Sequence, residues 1–235
     1  MEMELNHYSR QWFQFFHVGI DDERTTREIE FVENCAPLPA FAEILDVCCG
    51  MGRHARELSR CGYTVTGIDR DPAAIAHARK LGGGAKYVVA DIREYQPEPE
   101  RFDVAIVMGQ SFGHFDSATN RDILERLGCS VQKPGRLVLD VWNPEFFAMH
   151  QGERELKTPR GVVRETKHVK GGRLFVELMY PGGNHEHFQW QLFTPEQVEG
   201  LAKEVELDLL IACCGFDRTS FPSPLDPRLQ YVLAR

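Results

Sequence analysis

Apolar and polar positions along this chain follow two rhythms. Between residues 41 and 143 there are short apolar runs, "EILDVC", "YTVTGID", "KYVVAD", "RFDVAIVMG" and "GRLVLDVW". They are separated by stretches of helical periodicity, "GRHARELSRCG", "DPAAIAHARKLGGG" and "NRDILERLGCSV". Runs this short and this uniformly apolar predict strands covered on both faces, and their alternation with helices predicts a parallel sheet flanked by helices on both sides. Asp71 ahead of Pro72 marks a helix start, and the glycines after Leu81 mark its end. In front of this region Tyr8, Trp12 and Phe15 or Phe16 recur at helical spacing, and "DDERTTREIEFVENC" reads as a polar-faced helix with acids in its first turn.

Beyond residue 143 the period drops to 2. The runs "GVVRETKHV", "RLFVELMY" and "HEHFQWQLF", divided by "KGGR" and "PGGN", predict a three-stranded antiparallel meander inserted into the α/β pattern. In the last of these strands Phe188, Trp190 and Leu192 would share one face, and His185, His187, Gln189 and Gln191 the other. A helix capped by Thr194 and two strands, "LDLLIACCGFD" and "RLQYVLAR", close the chain. The expected organisation is a single domain over 1–235, with N-terminal helices in 1–40, the sheet core in 41–143, the antiparallel insert in 144–193 and the last helix and hairpin in 194–235.

Composition narrows the function classes. A net charge of −8 and a pI near 5.6 oppose a polyphosphate backbone, which argues against nucleic acid as a partner. The opening "MEMELNHYSR" has no basic segment leading into an apolar one, and no apolar run approaches a bilayer span. The expectation is a cytoplasmic protein, monomer or homodimer, with no membrane partner. Its seven cysteines are odd in number and lack C-x-x-C spacing, so they read as reduced packing residues, and no metal site is expected.

The stretch "ILDVCCGMGRHARELSR" carries the chemistry. Asp46 ends the first strand, and Gly50 and Gly52 allow the tight turn that brings the amides of the next helix toward a ligand. Asp69 ends the second strand, about 20 residues on, where a carboxylate grips ribose hydroxyls in doubly wound sheets. Asp91 ends the third. Three acids at the crevice suit S-adenosylmethionine, whose sulfonium and amine are cationic, better than a dinucleotide pyrophosphate. "GMGRHA" also matches a G-x-G-x-x-A fingerprint, so an NAD(P)-dependent oxidoreductase is the rival reading, with a noncatalytic ligand-binding module as a third.

Taken together, "ILDVCCGMGRHARELSRCGYTVTGIDRDPAAIAHAR", "VVADIREY", "ERFDVAIVMGQSFGHF" and "VQKPGRLVLDVWN" resemble the successive motifs of class I S-adenosylmethionine-dependent methyltransferases. The resemblance runs from Phe41 to Asn143, and the closing helix and two strands fit the reversed hairpin of that family. It implies a Rossmann-like, seven-stranded, mostly parallel sheet, S-adenosylmethionine as cofactor and methyl transfer to a small molecule, at nitrogen or oxygen ahead of carbon. It also implies that Asp46, Gly50 and Gly52, with Arg53 beside them, hold the methionine end, that Asp69 with Arg70 next to it holds the ribose, that Asp91 and Ile92 meet the adenine, and that Met108 and Gly109 floor the pocket. Cys48 stands where the family has its first loop glycine, as in a small-molecule branch with "CCG" in this loop.

Acceptor residues are sought after strand four and in the flanking segments. His114 in "QSFGHF" has a residue type able to take a proton near neutrality. Gln110 and Phe112 lie beside it, while Tyr8, Trp12, His185 and His187 are candidates to close over the acceptor. The basic run of Lys157, Arg160, Arg164, Lys167, Lys170 and Arg173 reads as a solvated strand face unless it lines the pocket, in which case it would select an anionic acceptor.

Overall fold

A computed structural model describes residue 6, residues 8–16 and residues 22–235. The predicted first helix is α1 (Arg10–Phe16) and the second α2 (Asp22–Cys35). His7 and Asp21, which the predicted elements include, lie outside the described residues. The core follows as β1 (Glu43–Val47), α3 (Arg53–Arg60), β2 (Thr64–Asp69), α4 (Pro72–Leu81), β3 (Lys86–Val89), β4 (Phe102–Val107), α5 (Ser117–Ser130) and β5 (Val131–Trp142). After α6 (Pro144–Met149) come β6 (Gly152–Thr158), β7 (Gly161–Lys170), β8 (Arg173–Met179) and β9 (His185–Gln191), then α7 (Pro195–Glu204), β10 (Asp208–Cys214) and β11 (Arg228–Ala234).

The large sheet has seven strands in the order β10-β11-β5-β4-β1-β2-β3. β1 through β5 pair in parallel, and β11 runs antiparallel to both of its neighbours. Apolar runs without alternation have the expected cause. Ile44 and Ile106 pack under α2, α3 and α4 with Val32, Leu58 and Ile75, while their neighbours Leu45 and Val107 pack under α5 and α7 with Leu124 and Val198. Each strand is therefore apolar on both sides. Chain order reverses between β1 and β4, so the crevice outside their carboxyl ends is the switch point where such sheets bind ligands.

The helix starts follow their sequence signals. The Asp71 carboxylate accepts from the Ala73 amide at 2.8 Å, with Pro72 at the first helical position. Thr194 and Gln197 form a reciprocal capping box at α7.

The insert is a four-stranded antiparallel sheet, β6-β7-β8-β9, one strand more than its sequence predicts. The missed strand, "GERELKT", is an almost wholly exposed edge and lacks the apolar alternation that would announce it. The two glycine turns fall where predicted. Phe188 and Trp190 of β9 are buried with Leu174, Val176, Phe147 and Phe15 in a separate, aromatic-rich core.

The free edge of β9 docks onto the loop after β4. The Gln191 amide donates to the Gly113 carbonyl at 2.7 Å, and a Cβ at Gly113 would lie only 2.6 Å from the Gln191 carbonyl, so glycine is what lets the two backbones meet. Among the described residues no helix is long and apolar enough to cross a membrane.

Candidate cofactor and acceptor site

The loop after β1 makes a left-handed curl, with φ of 57° at Cys48, 54° at Gly50 and 73° at Gly52. The two glycines serve different ends. A Cβ at Gly50 would meet nothing within 4 Å, so that backbone fronts open space, whereas one at Gly52 would lie 2.4 Å from the Tyr87 hydroxyl. Gly50 keeps the cradle clear, and Gly52 lets Tyr87 pack beneath it.

Cys48 and Cys49 are packing residues here. Burial first, and the carboxylates of Asp46 and Asp69 after it, push both thiols up. Cys49 Sγ would stand 2.9 Å from a Cβ at Gly67.

The three acids have three different environments. Asp46 is 1% exposed and its Oδ2 has no hydrogen-bond partner. Burial, with the nearby Asp69 charge adding to it, pushes its carboxyl up to about 7 against the pull of the Ala55 amide and Arg53. Asp69 Oδ2 accepts from the Gly50 amide at 2.8 Å and its Oδ1 from the Asp71 amide at 2.9 Å, so it fixes the loop's curl; burial raises its pKa. Asp91 is chelated by Arg93, whose Nη2 lies 2.6 Å from Oδ2, and this pairing holds its carboxyl below the usual range. Ile92 and Met108 are buried beside the crevice, and a Cβ at Gly109 would meet nothing within 4 Å.

The two arginines expected near the cofactor lie close enough for Arg53 to act on Asp46 and Arg70 on Asp69, and both also bond outside the loop. Arg53 pairs with Glu28 at 2.5 Å and donates to Thr25 Oγ1 at 2.9 Å, both on α2. Arg70 donates to the carbonyl of Asn6 at 2.7 Å.

That contact is one of four made by Asn6. Its amide donates to the His187 carbonyl at 3.2 Å, its Nδ2 to the His114 carbonyl at 3.0 Å, and its Oδ1 accepts from the Gln189 amide at 2.7 Å. One residue thereby clamps the N-terminal segment to β9, to the loop after β4 and to the end of β2. Nothing in its sequence context marks it, because all four partners are remote.

Behind the clamp lies an aromatic cluster. The Tyr8 hydroxyl is 3.3 Å from His114 Nε2, and the Tyr8 ring meets Trp12 at 4.7 Å and Phe188 at 4.9 Å between centroids. His114 lies 5.4 Å from the Trp190 ring, and the Trp190 indole donates to the Gln110 carbonyl at 2.9 Å. The charges acting on Tyr8 are those of Cys48, Arg70 and Asp69 on one side and Glu186 of β9 on the other, so this cluster stands between the β1 loop and the insert sheet. Burial raises the Tyr8 phenol.

For His114 the expectation of a near-neutral imidazole is corrected. Burial, then the charges of Arg70 and Arg173, lower it to about 3, so the ring is neutral at physiological pH.

Two other groups of expected acceptor contacts stand away from this cluster. Phe112 is buried in the main core against Phe193, with ring centroids 5.2 Å apart. His185 and His187 project from the face of β9 opposite Phe188 and Trp190, beside Glu177 of β8. Nor is the basic run a uniform solvated face: Lys167 is buried, paired with Glu165 at 3.0 Å and over the Phe147 ring.

A buried polar network that sequence reading missed supports the crevice. Asp140 Oδ2 accepts from the Gly109 amide at 3.0 Å and from the Gln110 side chain, and its Oδ1 accepts from Arg228 Nε at 3.0 Å and Gln230 Nε2 at 2.9 Å. Arg228 continues to Glu28 at 2.9 Å, which also holds His54 at 2.9 Å and Arg53. The members come from α2, α3, β5 and β11, so no local spacing links them.

The residues fit the group that the sequence implies. An unpartnered buried carboxylate oxygen at Asp46, two glycines opening on empty space and a raised carboxyl form an acidic cradle suited to a cationic amine or sulfonium.

Comparison with known proteins agrees. Residues 44–135 match a family described as a methyltransferase domain. The chain is 28% identical over 174 residues to dTDP-3-amino-3,6-dideoxy-alpha-D-glucopyranose N,N-dimethyltransferase of Streptomyces fradiae, covering 68% of each protein. It is 29% identical to ubiquinone biosynthesis O-methyltransferase of Methylobacterium nodulans, over 74% of this chain and 63% of that one. The chain thus spans about two thirds of the length of these curated relatives. Among solved structures, an S-adenosylmethionine-dependent methyltransferase from Clostridium acetobutylicum superposes with a TM-score of 0.78 at 13% identity, over 97% of both chains. The amino pentose methyltransferase CalS10 from Micromonospora echinaspora, with S-adenosylmethionine bound, gives 0.73 at 19% identity over 99% of both.

Proposed function

From the premise that this chain carries an S-adenosylmethionine-dependent methyltransferase domain, we propose that it methylates the amine nitrogen of a small-molecule acceptor. The observation that carries the choice of nitrogen is the setting of His114, enclosed by rings with its Nε2 3.3 Å from the Tyr8 hydroxyl and its ring 5.4 Å from Trp190. An imidazole whose pKa is lowered to about 3 is too weak a base to deprotonate an alcohol or phenol, but as a neutral ring whose Nε2–H faces the Tyr8 hydroxyl it would keep Nδ1 to accept a hydrogen bond from an amine N–H.

The surrounding rings favour the same atom. An amine gains positive charge as it takes a methyl group, and the rings of Tyr8, Trp12, Phe188 and Trp190 clustered about His114 would stabilise a cation that methylation of a deprotonated hydroxyl does not produce. S-adenosylmethionine, when bound, supplies a methyl carbon on a good leaving group. What the chain must do is align the nitrogen and exclude water. The Asp46 carboxylate would hold the amine of the cofactor's methionine end, and Asp69 the ribose hydroxyls through the lone pairs left free by Gly50 and Asp71. Asn6, by closing the N-terminal segment onto β9, keeps solvent from the aromatic cluster. Of the relatives, the sugar N,N-dimethyltransferase supports nitrogen and so does KedS8, a sugar N-methyltransferase that superposes with a TM-score of 0.70 at 17% identity, while the ubiquinone relative is an O-methyltransferase.

The test is a methylation screen with S-adenosylmethionine over three acceptor sets: amino sugars free and nucleotide-linked, catechols and phenols, and small carboxylic acids. Mass spectrometry should show one or two added methyl groups on amines alone. Turnover of a phenol or carboxylate with no amine product refutes the nitrogen assignment.

A further inference from the structure

We propose that Glu177, His185 and His187 form a divalent-cation site of the zinc class on the outer face of the insert sheet. The register of two neighbouring strands builds it. His185 and His187 are two residues apart on β9 and so share a face, and Glu177 on β8 is the direct cross-strand partner of His187. One ligand atom from each of the three lies within 4.8 Å of the others, and the two imidazole planes are only 19° apart at 6.5 Å. Glu177 Oε1 is already 2.8 Å from His185 Nδ1. An ion bonded to all three at about 2.0–2.2 Å would draw the ligand atoms closer by a small side-chain movement, which half-exposed residues on a rigid strand pair can make.

The donor set points to the metal. Two imidazoles and one carboxylate suit zinc and its neighbours, whereas calcium and magnesium take oxygen. The local charge leaves the carboxylate available. Arg164, a cation on the same face of β7 and opposite Met179, is paired with Glu153 at 2.9 Å, and Lys170 on that face lies at the far end of the strand opposite Arg173. A cation here would fasten β8 to β9 where the His187 carbonyl receives the Asn6 amide, so it would stiffen the strand that anchors the N-terminal clamp. Sequence spacing hides the site because its third ligand comes from the adjacent strand.

The test is calorimetric titration of the metal-stripped full chain with zinc alone, with cobalt(II) spectroscopy in parallel to report the donor atoms. The expected result is one zinc per chain at micromolar affinity, and a cobalt spectrum without a sulfur-to-metal charge-transfer band. His187→Ala and Glu177→Gln should each weaken zinc by at least about tenfold, the lower bound found even for the outer partners of metal ligands. Both side chains are partly exposed at the surface, so the variants should keep the circular dichroism and melting temperature of the metal-free parent. Zinc binding no tighter than millimolar overturns the proposal. So does tight binding that survives both substitutions, or a thiolate band, which would place the metal on the cysteines instead.

Discussion

Replacing Asp46 by asparagine tests the charge logic of the cradle. In the ligand-free protein this carboxyl titrates near 7, because burial disfavours its anion. A cationic amine beside its unpartnered Oδ2 favours that anion, so binding S-adenosylhomocysteine, the neutral-sulfur product that keeps the same amine, must displace the proton wherever Asp46 is protonated. Each unit of pH below the carboxyl's own value costs about 1.4 kcal/mol, so affinity should fall about tenfold per unit as the solution is taken from pH 7 toward 5.5, and level off just above 7. Asp46→Asn removes the titrating group and a charge-assisted contact worth about 1.5–3 kcal/mol, so its affinity should be weaker at pH 7.5 and flat across the range. Linkage gives the opposite sign for stability. A carboxyl whose folded pKa is raised contributes stability that is complete below the ordinary aspartate range and is lost as pH rises through about 7. The ligand-free Asp46→Asn protein should therefore melt higher than the parent at pH 8 while binding the ligand less well. Calorimetric titration at several pH values and thermal melts read both quantities. A pH-independent affinity in the parent, or a slope that persists in Asp46→Asn, refutes the reasoning.

Three further perturbations probe the rest of the site. Glu28→Gln leaves the buried cations Arg53 and Arg228 facing a neutral amide, and breaking a buried pair in this way costs about 3–5 kcal/mol, which thermal unfolding would read as a drop of at least about 6 °C. Although burial alone would raise Glu28, the hydrogen bond and charge of His54 and the charges of Arg228 and Arg53 outweigh it and hold the carboxyl far below the ordinary range. Its stability contribution is thus present above that range and lost on acidification, so the parent's acid unfolding should flatten in Glu28→Gln. Gly50→Ala should fold, with about 1–2 kcal/mol of left-handed strain, yet lose cofactor binding because its Cβ enters the cradle, while Gly52→Ala should lose stability first because its Cβ collides with Tyr87; calorimetry and melting on the same two proteins separate the outcomes. The kcat profile of amine methylation should show no limb assignable to His114 near pH 6.5, and a limb there that vanishes in His114→Asn would contradict a ring held at about 3.

What the sequence disclosed and what it withheld divide along a physical line. The strands β1 to β5 were legible because a strand packed on both faces must be apolar at consecutive positions, and the acids at their ends were legible because a polar residue closing such a run is out of keeping with its neighbours. The strand β6 was not, since an edge strand in water needs no apolar residue to hold it. Cys48 and Cys49 were read from the sequence as packing residues, but the loop alone does not show that they pack on opposite sides: Cys49 is buried beside Gly67 of β2 with Tyr87, and Cys48 leans on the core under α5 and α7. Phe112 and His114 stand two residues apart, yet one enters the main core and the other the aromatic cluster, because the loop after β4 is turned by Gln110 at a φ of 62° and Gly113 at 98°.

The same line explains why the support of the site was invisible while its ligand-facing residues were not. The turn at Gly109 and Gln110 is imposed from below by Asp140, whose carboxylate receives the Gly109 amide and the Gln110 side chain and is itself held by Arg228. Gln110 then offers its carbonyl to Trp190, which sits against His114. A chain of buried polar contacts therefore joins Glu28 on α2, through Arg228, Asp140 and Gln110, to the Trp190 indole, which packs against the ring that would meet the acceptor. Every link is between segments distant in sequence, so each residue taken alone reads as an ordinary charge on a helix or strand. Their burial is what gives them meaning, since a charge removed from water persists only where several partners converge on it. Such convergence fixes the position of a backbone turn more tightly than apolar packing does, because a hydrogen bond has a direction and a methyl contact does not. For an enzyme whose main task is alignment, a rigid turn beneath the acceptor is the part of the fold on which the chemistry depends.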